Sequence, residues 1–184
     1  MMREISLHIL DIAQNSITAN ASLVEITVDE NKKADTLTVI IADNGKGMSE
    51  ELVKRVVDPF TTGRTTRKVG LGIPLIKMAA ENTGGSLKLE SELGVGTTLT
   101  AVFVLSSIDR QPLGDMAETM LGMVTSYENV DFLYVHKVDD NEFMLDTREI
   151  KKILGGVSLS EPDVYMWLSE YLKEGESELI NKEV

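Results

Sequence analysis

The chain has 184 residues, 30 acidic against 18 basic side chains, a formal net charge of −12, 42% hydrophobic residues, one Trp and no cysteine. Without cysteine there is no disulfide framework, thiol nucleophile or zinc–thiolate site, and two histidines leave few ligands for any metal–histidine cluster. The longest apolar runs, such as Leu37 to Ala42 and Thr100 to Leu105, fall far short of the ~18 residues that span a bilayer, and the amino terminus lacks a signal pattern, so a soluble cytoplasmic protein with no membrane partner is expected.

From Arg3 to Thr18, apolar residues at Ile5, Ile9, Ile12 and at Leu10, Ala13, Ile17 predict a helix packed on a core. Leu23 to Val28 alternates and Thr36 to Ala42 is β-branched, predicting two strands around the polar turn Asp29 to Asp35. Ser49 opens a short helix over Glu51 to Val57, which stops near Pro59. Phe60 to Gly70, rich in Thr and basic residues, reads as a mobile loop. Leu71 to Asn82 is a second amphipathic helix with Pro74 in its first turn, ended by Gly84 and Gly85. Strands at Ser86 to Ser91 and Thr97 to Leu105 flank the Gly94-Val95-Gly96 turn.

A first unit closes near Ser106. Residues 1–106 carry 11 basic and 13 acidic side chains, a net of −2, whereas residues 107–184 carry 7 and 17, a net of −10. That acidity repels a phosphate backbone and argues against a nucleic-acid partner; it reads first as a solvated surface. In this segment Leu113 to Tyr127 should be helical, with Leu113, Met116, Met120, Leu121 and Met123 as a core stripe in preference to a docking face. A hairpin over Asp131 to Val138 and Glu142 to Leu145, then helices at Thr147 to Leu154 and Glu161 to Lys173, complete a small acidic α+β appendage, with Gly175 to Val184 expected to fray.

Several polar residues interrupt this pattern where chemistry could use them. Asp11 and Asn15 lie four apart, on one face of the first helix: an amide oxygen can ligate Mg²⁺ while a carboxylate orients or deprotonates a water, although a solvated polar stripe gives the same spacing. Asp43-Asn44-Gly45-Lys46-Gly47 follows a strand directly, placing a carboxylate where it can accept a hydrogen bond from an exocyclic amine; an ordinary strand-to-helix turn is the alternative. Gly70-Leu71-Gly72 opens a helix behind a basic loop, and unpaired amides there favour an anion, with Arg64, Arg67 and Lys68 available to neutralise phosphates. For His8 and His136 a structural role is the stronger reading.

The fixed order of these motifs, ending in Gly94-Val95-Gly96-Thr97 between strands, resembles the ATP-binding domain shared by gyrase-type topoisomerases, heat-shock chaperone ATPases, histidine kinases and MutL, the GHKL superfamily, over about residues 4–105. The resemblance implies an α/β two-layer sandwich, the Bergerat fold, in which helices cover one face of a mixed sheet, at residues 1–106, with residues 107–184 as an appendage of unknown role. It implies ATP and Mg²⁺ as ligands, with Asn15 holding Mg²⁺, Asp43 recognising the adenine amine, and Gly45 and Gly47 shaping that pocket. It further implies Thr61 and Thr62 at the edge of an ATP lid, Gly70, Leu71 and Gly72 cradling phosphates, and Thr97 beside the adenine. Asp11 stands where the gyrase and MutL branch has a general-base Glu, one methylene longer, and Lys77 where histidine kinases often carry a basic residue.

The lid is short and the GLGIPLIK helix is nearest the histidine-kinase branch, yet no phosphoacceptor hairpin precedes residue 3, so a stand-alone domain is expected. Two function classes follow. One is a kinase-like ATPase that hydrolyses ATP slowly or transfers its γ-phosphoryl group to a separate, unidentified protein partner, as anti-sigma serine kinases do. The other is a nucleotide-gated conformational switch or ATP-sensing scaffold without kinase activity, for which a homodimer is expected.

Overall fold

In the computed structural model, which describes residues 2–58 and 71–181, the apolar stripe Ile5, Ile9, Ile12, Ala13 is the buried side of α1 (Ile5–Thr18). No side chain caps this helix. Ile5 and Ser6 instead donate their backbone amides to the carbonyls of Pro112 and Leu113, at 3.0 and 2.8 Å, so a distant segment satisfies the helix start. β1 (Leu23–Asn31) and β2 (Thr36–Asp43) form an antiparallel hairpin. The Ser49 hydroxyl accepts from the Leu52 amide and starts α2 (Glu50–Val57). After α3 (Gly72–Asn82), a second hairpin pairs β3 (Ser86–Glu92) with β4 (Gly96–Val104). Then come α4 (Met116–Ser126), β5 (Asp131–Val138), β6 (Asn141–Asp146), α5 (Thr147–Leu154) and α6 (Pro162–Asn181).

The strands make one mixed sheet in the order β3-β4-β2-β1-β5-β6, antiparallel except for the β1–β5 pair. Its register aligns Leu89, Leu99, Ile41, Ile26, Tyr134 and Leu145 in a transverse row on one face. Lys88, Thr100, Ile40, Thr27, Val135 and Met144 form the neighbouring row on the other face. Helices α1, α3, α4 and α6 pack over the first face, giving the two-layer α+β arrangement expected.

Residues 107–181 continue this architecture. Their strands extend the sheet beside β1, and Met116, Met120, Met123, Phe132, Tyr134 and Leu168 share one buried cluster with Ile9, Ile26 and Phe103. The methionine stripe of α4 is therefore core. The expectation that the chain frays from Gly175 is corrected: α6 runs on to Asn181, and Gly175 lies against the Phe143 ring, where a Cβ would collide. This glycine permits close helix–strand approach rather than ending the helix.

Both histidines are structural. His8 is buried, and its Nε2 lies 3.0 Å from Oε1 of Gln111; burial lowers its pKa against the opposing effects of Gln111 and Asp11, so the ring is held neutral. His136, 4% exposed, has Nδ1 2.7 Å from Glu176 Oε2 and Nε2 2.9 Å from Glu30 Oε1, and the Tyr134 hydroxyl donates to Glu176 Oε1 at 2.7 Å. Burial pulls the His136 pKa down, but the hydrogen bonds and charges of Glu176 and Glu30 outweigh it and raise it to about 9. Burial, then the Glu176 charge, pushes Tyr134 well above its ordinary value. A protonated imidazole thus clamps β1, β5 and α6 together.

Candidate functional site

Asp43 is the last residue of β2, so the strand fixes its backbone at the point where the turn begins. Its carboxylate is pinned twice: Oδ2 accepts from the Ser16 hydroxyl at 2.6 Å, and Oδ1 from the Gly45 amide at 2.8 Å. Ser16 was not among the expected site residues. It continues the buried α1 series Ile5, Ile9, Ile12, Ser16, and a lone hydroxyl on an apolar stripe was the signal that could have found it.

The turn itself is clamped on both sides. Asn44 Oδ1 accepts from the Ser22 and Leu23 amides, the Lys46 amide donates to the Ala19 carbonyl at 2.9 Å, and the Met48 amide donates to the Ser91 hydroxyl at 2.8 Å. Thr97 stands opposite Asp43 in the β2–β4 register, with its Oγ1 2.7 Å from Ser91 Oγ.

Two of the glycines have no substitute here. Gly47, at φ +66°, and Gly96, at φ +145°, adopt backbone that side chains rarely allow, and a Cβ would drive into the Glu92 carbonyl or the Asp43 carbonyl respectively. At Gly45 a Cβ would lie 2.8 Å from the Ala19 carbonyl oxygen.

These elements enclose a cavity of ≈ 240 Å³ that Asn15, Ser16, Asp43, Lys46, Gly47 and Thr97 line on its polar side. Ile12, Ile41, Met48, Leu52, Val56, Ile73, Leu89 and Leu99 make apolar walls. A slot of this kind, with one fixed carboxylate at its end, suits a flat heteroaromatic ring that bears an amine.

Of the other expected residues, Asp11 and Gly72 meet each other: the Asp11 carboxylate rests against the start of α3, where a Cβ on Gly72 would strike Oδ2. Leu71 occupies the cap position of α3 with its side chain 64% exposed, outside the cavity lining. Lys77 faces Glu81 at 3.9 Å, a helical i,i+4 ion pair. Thr61, Thr62, Gly70 and the basic loop residues Arg64, Arg67 and Lys68 lie outside the described residues. Among the described residues no group of three or more His, Cys, Asp or Glu is placed to cage a metal, and no helix is long and apolar enough to cross a membrane.

A two-layer sandwich whose helix and strand ends converge on a carboxylate-tipped apolar slot defines an ATP-binding domain of the Bergerat kind. The family of histidine kinase-, DNA gyrase B- and HSP90-like ATPases matches residues 2–107, and the chain belongs to that family. Sporulation kinase C of Bacillus subtilis is 31% identical over 98 residues, covering 53% of this chain and 23% of that protein. Sensor protein SrrB of Staphylococcus aureus is 42% identical over 80 residues, 41% of this chain and 13% of that protein. The matches thus span no more than a quarter of these relatives' own length. The solved structure of the Aquifex aeolicus MutL ATPase domain complexed with ADP shares the fold, with a TM-score of 0.50, 14% identity, and coverage of 84% of this chain and 70% of that one.

Proposed function

We propose that the chain binds ATP together with Mg²⁺ in the Asp43 cavity, and that it hydrolyses the nucleotide slowly or passes the γ-phosphoryl group to a separate protein in the cytoplasm. The observation that carries this reading is the Asp43 carboxylate. Ser16 and Gly45 hold it in one orientation, and each oxygen keeps a lone pair for the adenine amine while the apolar walls take the ring. ADP in the related MutL domain supports the same ligand class here.

Asn15 lines the cavity and is exposed, so its amide oxygen can contribute one ligand to a cation otherwise held by phosphate oxygens and water, which matches the usual sparse protein coordination of Mg²⁺. When bound, Mg²⁺ offsets the charge on the phosphates. α3 starts next to the cavity, with Ile73 in its lining and no side-chain cap on its first turn, so its positive dipole end favours phosphates there.

A second reading, the nucleotide-gated switch, draws on Asp11. Its carboxylate sits on the same α3 terminus that an incoming phosphate would approach, so nucleotide and Asp11 compete for one helix end, and binding would shift α3 relative to α1.

Isothermal titration with ATP, with and without Mg²⁺, followed by phosphate release over hours on the same sample, tests both. Mg²⁺-dependent binding with slow release supports the ATPase, and binding without release supports a kinase awaiting its acceptor or a switch. Absence of binding sinks the nucleotide assignment.

A further inference from the structure

α1 presents a second face. Asn15 lines the nucleotide cavity, whereas Leu7, Leu10 and Gln14, at helical spacing, border a separate groove of ≈ 430 Å³ shared with α4. From α4 the groove takes Asp115, Glu118, Thr119, Gly122 and Ser126, again a single helical stripe. Its apolar part is Leu7, which is 41% exposed, together with the half-buried Leu10 and Tyr127 over the buried Met123. Its rim carries three carboxylates, Glu4, Asp115 and Glu118, and among the described residues no basic one lines it.

Gly122 sharpens the picture. It lies in the middle of α4, where glycine disfavours the helix, yet its backbone is not left-handed and a Cβ would find nothing within 4 Å. Among the described residues no contact requires a glycine there. A bare, exposed backbone patch in the lining of an open groove permits another main chain or a large side chain to approach closely.

We propose that the α1–α4 groove docks a basic amphipathic helix of a partner protein, with apolar side chains entering over Gly122 and between Leu7 and Leu10, and Lys or Arg flanks pairing with Glu4, Asp115 and Glu118. Stripes from two packed helices form the trough that helix-in-groove recognition uses, and the three carboxylates in its lining set the partner's charge. The proposal does not depend on the nucleotide reading, because none of these residues lines the Asp43 cavity.

The test is a fluorescence-anisotropy titration of the full chain with a labelled helical peptide bearing Leu on one stripe and Lys on its flanks, alongside a counterpart with Glu flanks. The expected result is saturable binding of the Lys peptide only, weakened by salt, with amide shift changes concentrated at Leu7, Leu10, Thr119 and Gly122. Gly122→Leu should weaken binding at least ~10-fold by filling the groove, and Glu118→Lys about 3-fold, whereas Glu90→Lys on the distant β3 edge should leave it unchanged.

Gly122→Ala guards against misfolding as an explanation: it should raise the unfolding temperature by about 3 °C through better helix propensity while still weakening the peptide. Equal weakening by Glu90→Lys would mean general attraction to an acidic protein and would overturn the proposal. So would indifference to Gly122→Leu, or a dimer in sedimentation equilibrium that Gly122→Leu dissolves, which would give the groove to a second copy.

Discussion

Neutralising His136 by raising the pH is expected to loosen α6 from the sheet and lower stability across a defined window. The ring is 4% exposed and bonds through both nitrogens to carboxylates, Glu30 on β1 and Glu176 on α6. Its pKa in the folded chain is about 9, against 6.5 for an unperturbed histidine. A native value above the unfolded one means that the folded state binds the proton more tightly. The stabilisation is therefore complete below pH 6.5 and disappears as pH rises through 9. At 1.36 kcal/mol per pH unit the difference amounts to roughly 3 kcal/mol, a large share of the ~5–15 kcal/mol that holds a domain together.

Deprotonation leaves one N–H between two carboxylates, so one carboxylate then faces a lone pair. Guanidinium unfolding at intervals from pH 6 to 9.5, for the native chain and for His136→Gln, isolates this contribution as the difference between the two curves. An imidazole proton titration by NMR gives the pKa directly. A native stability that stays level from pH 6.5 to 9, or a slope that His136→Gln shares, would refute the clamp.

Asp43→Ala should weaken ATP binding about 10- to 100-fold by calorimetry, the cost of one charge-assisted hydrogen bond, and Ser16→Ala should weaken it less, by releasing the carboxylate from its fixed orientation. In the same titration Asn15→Ala should abolish the advantage that Mg²⁺ confers; an unchanged Mg²⁺ dependence would remove that residue from the metal. Gly96→Ala should lower the unfolding temperature and the nucleotide affinity together, because the added Cβ meets the Asp43 carbonyl at a φ of +145°. Gly175→Ala should cost about 1–3 kcal/mol by forcing the Phe143 ring aside, and a neutral result would mean that α6 is not held against β6 as described.

Much of this was legible because it is local. The helical period of Ile5, Ile9 and Ile12, the alternation in Leu23 to Val28, and the turn glycines each specify an element from within a few residues. The strand-end carboxylate was legible too, since a strand ending in Asp43-Asn44-Gly45 has a recognisable order. The sheet order was not. Pairing of residues 23–30 with residues 131–138 is set by burial of a shared face, and a strand's own alternation names its faces without naming its neighbour.

The acid excess after residue 106 suggested a separate appendage because charge reports surface, whereas the α4 methionines and Tyr134 join the common core underneath it. Gly175 was ambiguous for a related reason: the same residue ends a helix or lets one approach a ring, and only the position of Phe143 decides.

The parallel pairing of β1 with β5 also bears on how the chain is made. β1 lies between β2 and β5, and its second neighbour is more than 100 residues away in sequence. While the polypeptide is emerging from a ribosome, the half that carries the ATPase signature has to wait with one flank of β1 unbonded, until residue 138 is available to zip along it. Cutting the chain after residue 107 would make that temporary state permanent, leaving a raw strand edge prone to self-association. The portion that defines the family shares its sheet and core with residues 107–181, which act as a selvedge that finishes the weave.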